Sequence, residues 1–467
     1  MAGTGISIGV ISLGCSKNLV NTEQMMFLLG NAGYSVSGDT DNADIVLLNT
    51  CGFIDSAKSE AVEMILELSA AMKKRGFGKL IVAGCLAQRY KNEILTELPD
   101  IDAVVGTGSF DDIVSVVNAL EPTRWLRAPE VLPLRRVSGA SNPQMYFNDI
   151  DAPVSETGRI ITTSPLWAYL KIAEGCDNHC SYCCIPSIRG RFRSRPIGNI
   201  VDEAEKLVDR GIRELIVVAQ DVTRYGLDIY GKRRLAGLLG ELGKIEKLKW
   251  IRLHYLYPDG FDNELIDVIA KSDKILKYLD IPIQHINDGI LEQMNRRGGS
   301  ECIKRLFKDL RERIPGVVLR TSLITGLPGE GDKEFKELCD FLRDMKLERV
   351  GVFAYSPEDG TAAALMERPP VETAEQRAEY LLDLQAQIMS RWNESRIGSV
   401  VDVLADNAET GENGTTYIKA RSFAESPDID GYIQVRIKHG EVKKPLPGFF
   451  DIRITGMENG LPAGEML

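Results

Sequence analysis

Short apolar runs alternate with helical patterns over the first 120 residues, and this alternation constrains the fold more than any other feature of the chain. The pattern predicts three strands at Ile6–Leu13, Asp44–Leu48 and Lys79–Ala83, followed in turn by helices at Asn21–Asn31, Ser56–Lys74 and Arg89–Leu98. Strands that alternate with helices form βαβ units with right-handed connections around a parallel sheet. Residues 1–120 are therefore predicted to form an N-terminal domain built on a doubly wound parallel sheet.

Residues 121–165 interrupt this pattern with six prolines and many Ser and Asn residues, which predicts a linker or an irregular insertion. The alternation resumes over residues 166–395. Six strands are predicted there, at Ala168–Ile172, Glu214–Ala219, Trp250–Tyr255, Tyr278–Ile283, Val317–Ile324 and Arg349–Ala354. Six strand–helix units are two short of the eight in a closed TIM barrel, so a partial (β/α)6 TIM-like barrel is predicted.

Residues 396–467 have a different pattern, with short alternating strands between Gly and Pro turns. The predicted strands are Val400–Leu404, Tyr417–Arg421, Tyr432–Ile437 and Phe450–Thr455. This pattern is typical of a small antiparallel β-barrel. The chain of 467 residues is thus predicted to be a multidomain α/β protein with a small all-β domain at its end.

The nine cysteines are an odd number in a chain that begins without the pattern of a secretory signal. These features disfavour a disulfide framework and favour metal, cluster or redox chemistry in a reducing compartment, so we expect a cytoplasmic protein. No apolar run approaches the roughly 18 residues of a membrane span, so no membrane partner is expected. The formal net charge of −11 argues against a general nucleic-acid binder.

Three cysteines share one sequence context, because Cys15, Cys51 and Cys85 each end an apolar strand and precede a helix. The carboxyl ends of parallel strands meet at one edge of a sheet, where ligands bind in open α/β folds. A single cysteine there is more often a small buried apolar residue. Three at equivalent places favour a shared metal or cluster site, with one ligand position left open in a zinc site or on one iron of a cluster.

A second group of cysteines, Cys176, Cys180 and Cys183, follows the first predicted barrel strand with spacings of four and three residues. One interpretation is a zinc knuckle in which His179 or Cys184 is the fourth ligand. However, zinc sites usually pair C-x-x-C with a second pair further along the chain, and none follows here. The carboxyl end of a barrel strand also favours a catalytic role, so a three-thiolate iron–sulfur cluster is the preferred interpretation.

This C-x-x-x-C-x-x-C element resembles the signature of radical S-adenosylmethionine (SAM) enzymes. The resemblance implies a [4Fe–4S] cluster on Cys176, Cys180 and Cys183, whose free iron binds SAM and cleaves it to a 5′-deoxyadenosyl radical. The segment 324–330 (ITGLPGE) resembles the family's stretch along the adenosine. It implies SAM contacts from Gly326, Pro328, Gly329 and Glu330, although a simple strand-to-helix turn has the same sequence pattern.

The order of the three domains resembles the methylthiotransferases, a family of radical SAM enzymes, over nearly the whole chain. The resemblance implies an auxiliary [4Fe–4S] cluster on Cys15, Cys51 and Cys85 and a TRAM domain at 396–467. It also implies a reductant such as flavodoxin or ferredoxin, and no catalytic residues beyond the cluster ligands. Cys184, Cys302 and Cys339 are expected to be packing residues.

Three motifs favour the family branch that modifies an aspartyl β-carbon of small-subunit ribosomal protein S12. Residues 14–20 (GCSKNLV) resemble that branch's GCPKNLVD, residues 49–54 (NTCGFI) match its NTCGFI, and residues 280–286 (DIPIQHI) resemble its DIPxQH. The branch that modifies tRNA adenosine, with MiaB as its example, typically carries GCQMN and PxQSG instead. Ser16 replaces the usual proline.

The charge of the last domain agrees with a protein substrate. Residues 396–467 hold 8 basic and 11 acidic side chains, a net charge of −3, whereas a tRNA-docking barrel should be basic. We therefore expect ribosomal protein S12, and not tRNA, as the partner. The alternatives are a MiaB-like tRNA adenosine methylthiotransferase and, from another class, a non-catalytic iron–sulfur or zinc protein.

Overall fold

A computed structural model of the chain describes residues 5–76, 78–120, 145–410, 416–436 and 446–467. Its first sheet has six strands, β1 (Ser7–Ser12), β2 (Ser35–Ser37), β3 (Ile45–Thr50), β4 (Lys79–Gly84), β5 (Ala103–Val105) and β6 (Met145–Tyr146). The strands are all parallel, in the order β2-β1-β3-β4-β5-β6. The helices between them are α1 (Ser16–Asn31), α2 (Asp55–Arg75), α3 (Cys85–Glu97) and α4 (Ile113–Leu120).

Helices cover both faces of this sheet, because successive side chains of a strand point to opposite sides. In β3, Leu47 lies in one buried cluster with Met25 of α1, whereas Leu48 lies in a second cluster with Ile65 of α2. The six-residue strand is buried throughout, as expected for a parallel sheet between two helical layers. The predicted doubly wound sheet is confirmed.

Two helices of this domain begin earlier than the sequence pattern predicts. Helix α1 was expected from Asn21 but begins at Ser16, and α3 was expected from Arg89 but begins at Cys85. In the added turn of α1, Lys17 and Asn18 are buried polar residues. Polar residues on a buried face hide the apolar periodicity that predicts a helix. The short strands β2, β5 and β6 were also missed.

The predicted linker or insertion at 121–165 lies outside the described residues as far as residue 144. From there, β6 pairs with β5, and the chain then crosses to the second sheet. The guanidinium of Arg159 is buried on this path. Its Nη1 lies 3.0 Å from Glu23 Oε2 of α1 and its Nη2 donates to the Tyr169 carbonyl at 2.7 Å. The segment 145–165 therefore contacts both sheets.

The second sheet has six parallel strands that follow one another in chain order and do not close. They are β7 (Trp167–Lys171), β10 (Glu214–Val218), β11 (Trp250–Leu253), β12 (Ile275–Asp280), β13 (Val318–Thr325) and β14 (Arg349–Ala354), beside a small antiparallel pair, β8 (Ala173–Glu174) and β9 (Arg193–Ser194). The helices are α5 (Ile185–Arg189), α6 (Ile197–Asp209), α7 (Leu227–Tyr230), α8 (Leu235–Gly243), α9 (Asn263–Lys271), α10 (Asp288–Gln293), α11 (Gly299–Arg313), α12 (Asp332–Met345) and α13 (Val371–Ser395). The predicted partial barrel is confirmed.

The open side of this partial barrel is covered by other parts of the chain. Leu215 and Val217 of β10 face the helices, whereas Ile216 faces the opposite way, into a cluster with Val20 of α1 and Ala424. The face that carries Ile216 is the inner face of the partial barrel, and in a closed barrel eight strands would surround it. Here α1 and the terminal domain cover it instead.

The terminal domain is a closed five-stranded barrel, as predicted, with one strand more than the sequence pattern showed. Its strands are β15 (Val400–Thr410), β16 (Thr416–Arg421), β17 (Ile433–Arg436), β18 (Gly448–Glu458) and the missed β19 (Leu461–Met466). A buried ion pair joins it to the second sheet, because Glu214 lies 2.8 Å from Arg252 of its own sheet and 2.9 Å from Arg421 of the barrel. No helix in the described part of the chain is both long and apolar enough to cross a membrane.

Candidate active site

The three strand-end cysteines lie side by side because β1, β3 and β4 are neighbours in the first sheet. Asn49 near the end of β3 pairs with Ser12 of β1 and with Ala83 of β4. Cys51 and Cys85 follow directly on their strands, and Cys15 follows Ser12 by three residues. The structure therefore brings together the three thiols that the sequence placed at one sheet edge, and we call them the strand-end triad.

A glycine before the first cysteine allows this close approach. Gly14 has φ +88°, and a Cβ at that position would lie 2.6 Å from the Cβ of Cys51 and 3.1 Å from its Sγ. A side chain there would push Cys51 away and would also require a left-handed backbone. The glycine-cysteine pair of the first motif is thus a steric requirement of the triad.

The three thiols differ in their electrostatic surroundings. Burial raises the pKa of Cys51 to about 11, and the neighbouring Cys85 and Cys15 add to the effect. Burial also acts on Cys15, but the positive charges of Lys17 and Arg189 outweigh it and lower the pKa of its thiol below the ordinary value. Cys15 is therefore the member of the triad that most readily becomes a thiolate, the form that binds metals.

Arg189 is the buried cation that faces this triad. Its Nη2 donates to the Sγ of Cys85 at 3.3 Å and to Asn18 Oδ1 at 3.1 Å, and its Nη1 lies 3.1 Å from Glu174 Oε2. Glu174 also accepts from Lys171 at 2.9 Å. Burial alone would raise the pKa of Glu174, but Arg189 and Lys171 hold it far below its ordinary value, so this carboxylate stays ionised. The network fixes a positive charge beside the thiols.

The second set of cysteines, which we call the loop triad, lies between β8 and α5. Gly175 opens this loop with φ +80°, and a Cβ there would lie 1.9 Å from the Arg191 carbonyl oxygen. Cys176 donates its backbone N–H to the Gly190 carbonyl at 3.1 Å, and Cys183 donates to the Cys180 carbonyl at 3.0 Å. These contacts fold the loop back on itself, so that one short loop carries all three thiols.

Contacts with distant segments hold the loop triad in place. The backbone N–H of Ser181 donates to the Met294 carbonyl at 3.0 Å, and its carbonyl accepts from Ala363 at 2.9 Å. The guanidinium of Arg296 lies 3.6 Å from the Cys180 Sγ. Burial raises the pKa of Cys176 to about 11, so an electropositive partner favours its thiolate form. A bound metal ion would supply such a partner, since a coordinating thiol is deprotonated.

The glycine-rich segment after β13 lies beside this loop. Leu327 packs in one apolar cluster with Tyr182, and Cys180 and Cys183 contact the same cluster. Gly326 has φ +75° and donates its N–H to Glu330 Oε1 at 2.9 Å. A tight turn thus presents the backbone around Gly326, Pro328 and Gly329 next to the loop triad.

Glu330, also predicted as a SAM contact, points into the protein. Its carboxylate is fully buried, with Arg377 Nη1 2.8 Å from Oε1 and His285 Nε2 3.2 Å from Oε2. It also accepts the N–H of Gly326, so its role in the described structure is to hold the turn together.

The short helix α5 links the two triads. Cys184 caps it directly after the loop triad, and Arg189 at its other end reaches the strand-end triad. Five helical residues rise only about 7.5 Å, and residues at both ends of α5 contact Cys85, so the two triads are neighbours. Cys184 itself packs against Cys85 and Ile188.

Neither triad converges on a single point. Among the described residues, no group of three or more His, Cys, Asp or Glu side chains is compact enough to hold one metal ion. A zinc knuckle completed by His179 or Cys184 therefore has no support in this geometry. In a four-iron cluster each thiolate binds a different iron, so its cysteines stand around the cluster, and three thiols are a donor set of the kind that such a cluster uses.

The predictions for the other cysteines have mixed outcomes, and the sequence left open whether the alternating arginines Arg189, Arg191, Arg193 and Arg195 form a solvated run or contact a substrate or cofactor. Cys184 and Cys339 are buried, as expected of packing residues, but Cys302 is exposed and that prediction is wrong. Of the four arginines from 189 to 195, Arg189 faces the strand-end triad and Arg191 is exposed. The sequence did not show which of these arginines is buried, because the same residue recurs at every second position.

Comparisons with known proteins show the family of this chain. Residues 170–342 match the radical SAM superfamily and residues 7–106 match a family described as "Uncharacterized protein family UPF0004". A ribosomal protein uS12 methylthiotransferase RimO of Acetivibrio thermocellus is 42% identical over 467 residues, which cover 98% of both chains. The RimO of Pelotomaculum thermopropionicum is 45% identical and covers 92% of this chain and 93% of its own. This chain belongs to the RimO family of radical SAM methylthiotransferases.

Solved radical SAM structures share the fold of this RimO family member. The radical SAM methyltransferase TsrM from Kitasatospora setae, with tryptophan and a SAM analogue bound, matches with a TM-score of 0.55 and 16% identity over 75% of this chain and 74% of its own. At that identity the likeness concerns the fold alone. Its relatives and its family match show that the chain is an enzyme, a radical SAM methylthiotransferase, and the family implies a [4Fe–4S] cluster and SAM.

Proposed function

We propose that this enzyme replaces a β-hydrogen of an aspartyl residue on ribosomal protein S12 with a methylthio group. The observation that supports the proposal is that two three-cysteine sites are neighbours through α5, one in a radical SAM loop and one at the edge of the first sheet. An electron carrier has no need of two neighbouring sites that each leave one iron open. Relatives that cover nearly the whole chain are named as methylthiotransferases of uS12.

The residues of each site have separate tasks. Cys176, Cys180 and Cys183 would hold the radical-generating cluster, and the strand-end triad, Cys15, Cys51 and Cys85, would hold an auxiliary cluster. When bound, the first cluster and SAM supply a carbon radical that removes the hydrogen, a second SAM supplies the methyl group, and the auxiliary cluster supplies the sulfur-bearing group. Abstraction from an unactivated C–H bond explains the need for a cofactor of this kind.

The chain's own side chains orient these groups and exclude water. Arg189 is buried and keeps a positive charge next to the thiolates, which would otherwise repel one another in a medium of low dielectric. The turn at Gly326, Pro328 and Gly329 would lie along SAM with its backbone, and Glu330 would hold that turn from behind. No further side chain is needed as an acid or base.

The terminal barrel would dock the substrate as a TRAM domain. Its net charge of −3 favours encounter with a basic ribosomal protein over tRNA, because complementary fields steer association. All nine cysteines lie in the described residues and are free. Free thiols are typical of proteins in a reducing cytoplasm, and we infer that the enzyme acts there. Flavodoxin or ferredoxin would deliver the electrons.

The test offers purified S12 and unmodified tRNA to the reconstituted enzyme in separate anaerobic reactions with SAM and a reductant. We expect S12 to gain the mass of one methylthio group on an aspartyl residue, with tRNA unchanged. A methylthiolated adenosine with unmodified S12 would instead establish the tRNA activity. Absence of SAM cleavage by a preparation with full iron content would establish a non-catalytic protein.

A further inference from the structure

A buried ion pair joins the first domain to the loop after β14, and the function described so far does not use it. Arg89 lies in α3, and its Nη1 is 2.5 Å from Oε2 of Glu358. Only 8% of the Arg89 side chain and 2% of the Glu358 side chain are exposed. Lys58 of α2 adds a second cation, 3.0 Å from the same carboxylate oxygen. Two helices of the first domain thus hold one carboxylate of the second sheet's domain.

The guanidinium of Arg89 contacts the residue next to a cysteine of each triad. Its Nη1 donates to the Gly52 carbonyl at 3.1 Å, and Gly52 follows Cys51 of the strand-end triad. The same Nη1 lies 3.6 Å from the Sγ of Cys184, which follows Cys183 of the loop triad. One buried side chain therefore lies against both of the segments that carry the cysteines.

Helix α3 connects Arg89 to the strand-end triad. Cys85 is the first residue of this helix, and Arg89 follows it by about one turn. A Cβ on Gly52 would lie 2.7 Å from the Cα of Leu86, so the segment that follows Cys51 packs directly on α3. Arg89 therefore belongs to a tightly packed unit with two of the three cysteines of the strand-end triad.

The loop that carries Glu358 is bonded to the loop triad. Thr361 donates to the Glu358 carbonyl through its backbone N–H at 3.1 Å and through its hydroxyl at 2.6 Å, which closes the turn between them. Two residues further on, the backbone N–H of Ala363 donates to the carbonyl of Ser181, inside the loop triad, at 2.9 Å. A displacement of Glu358 would therefore also displace the loop triad.

We propose that Arg89 and Glu358 are positioning residues that set the separation of the two triads. This inference rests on the proposed function and deepens it, because the separation matters only if a group held at one site is transferred to a carbon activated at the other. A displacement of about 1 Å between reacting groups can cost about 100-fold in rate. The ion pair therefore determines how often cleavage of SAM leads to a methylthio product.

The experiment separates positioning from stability by comparing variants of the reconstituted enzyme. Arg89→Met removes one charge of the pair and leaves the other buried. The double variant Arg89→Met/Glu358→Gln removes both charges, and Lys58 then keeps Asp55, at 2.5 Å, as its partner. Removing both charges of a buried pair destabilises a protein less than removing one of them. The double variant therefore loses the positioning contact at a smaller loss of stability.

Arg159→Met is the matched control for the loss of a buried ion pair. The side chain of Arg159 is 3% exposed and lies 3.0 Å from Glu23 of α1, so it also pairs with a carboxylate of the first domain. Its other partners are Glu203 of α6 and the Tyr169 carbonyl, neither of which belongs to a segment that carries a triad. This variant loses stability without losing a contact beside the cysteines.

Two measurements report on the separation of the triads. One is the ratio of 5′-deoxyadenosine formed to methylthio groups added to S12, and the other is the magnetic interaction between the two reduced clusters in electron paramagnetic resonance. In both Arg89 variants we expect the ratio to rise by about 10- to 100-fold and the interaction to change, with iron content and SAM cleavage as in the wild type. The double variant should recover most of the denaturation midpoint that Arg89→Met loses. Arg159→Met should lower that midpoint and change neither measurement.

Two results would overturn the inference. Wild-type values of both measurements in the two Arg89 variants would show that the ion pair only stabilises the fold. An equal rise of the ratio in Arg159→Met would show that any loss of stability uncouples SAM cleavage from methylthiolation. The wild type is measured first, and a missing second cluster or unmodified S12 there would contradict the proposed function itself, so that the inference would fall with it.

Discussion

The strand-end triad and the loop triad present three cysteines each, but the chain builds them in opposite ways. Cys15, Cys51 and Cys85 come from three strand ends that are 36 and 34 residues apart. The loop triad fits within eight consecutive residues, Cys176 to Cys183. One site depends on the pairing of a whole sheet, and the other on the folding of a single loop.

The difference extends to what holds each site in place. The strand-end triad stands on buried parallel strands and faces two buried cations, Lys17 and Arg189. The loop triad is held by contacts with the segments around Met294 and Ala363, and it faces Arg296. The first site is therefore set by the fold of its domain, whereas the second is set by the turns around it.

The largest effect is expected at the loop triad. Cys183→Ser should reduce both SAM cleavage and methylthiolation to background, because no electron reaches SAM without a bound cluster. Product analysis for 5′-deoxyadenosine and for modified S12 checks both outputs. Cys302→Ser, a change at an exposed cysteine, should leave both as in the wild type. SAM cleavage by Cys183→Ser at the wild-type rate would show that Cys183 is not needed to bind the radical-generating cluster.

The next effect is on stability, at the charge network of the strand-end triad. Arg189→Gln leaves Glu174 with one of its two cations and Cys85 without a donor, so it should lower the free energy of unfolding by about 3 kcal/mol. Denaturation followed by circular dichroism, together with the iron content, checks this. Arg191→Gln, at an exposed position of the same run, should change stability by less than about 0.5 kcal/mol. Equal effects in the two variants would contradict the assigned role of Arg189.

A smaller effect is expected from Gly175, which opens the loop triad. Gly175→Ala should cost about 2 kcal/mol, because the new Cβ meets the Arg191 carbonyl and the backbone has φ +80°. The iron of the loop triad should be lost before that of the other site. Gly198→Ala, in the first turn of α6 with open space around it, should be neutral or slightly stabilising. Similar denaturation midpoints for both variants would show that the turn tolerates a side chain.

The smallest effect distinguishes thiols within one triad. In cluster-free reduced protein near neutral pH, an alkylating reagent should label Cys15 at least about tenfold faster than Cys51. The reason is that Lys17 and Arg189 lower the pKa of Cys15, whereas burial raises that of Cys51 to about 11. The ratio of the Cys15 labelling rate to the Cys51 labelling rate should fall as the pH approaches about 11. Lys17→Met should also reduce this ratio. Peptide mapping of the labelled protein measures both rates, and equal labelling near neutral pH would contradict the electrostatic difference.

The sequence predicted the folds of the three domains because periodic patterns carry that information. The loop triad was visible as a motif, and the strand-end triad became visible once each cysteine was placed at the end of a predicted strand. What remained hidden was the start of α1 at Ser16, because Lys17 and Asn18 are polar residues on a buried face. Short strands such as β5 were missed for a different reason, since three residues show no period.

The roles of single charged residues could not be predicted from the sequence. Arg189 and Arg191 belong to the same basic run, and only the end of α5 shows that the first is buried against Cys85. Glu330 lies in a segment that resembles a SAM-binding stretch, yet its carboxylate is turned toward Arg377. Both outcomes depend on contacts between residues far apart in the chain, which local patterns do not report.

The central claim is that the two triads perform separate tasks, and Cys15→Ala tests it most directly. The variant is assayed anaerobically with SAM, a reductant and S12, and both products are measured in one reaction. We predict that 5′-deoxyadenosine still forms while methylthiolation stops. Methylthiolation at the wild-type rate would contradict the account, as would loss of methylthiolation with a fully intact auxiliary cluster, because either result means that Cys15 is not a ligand.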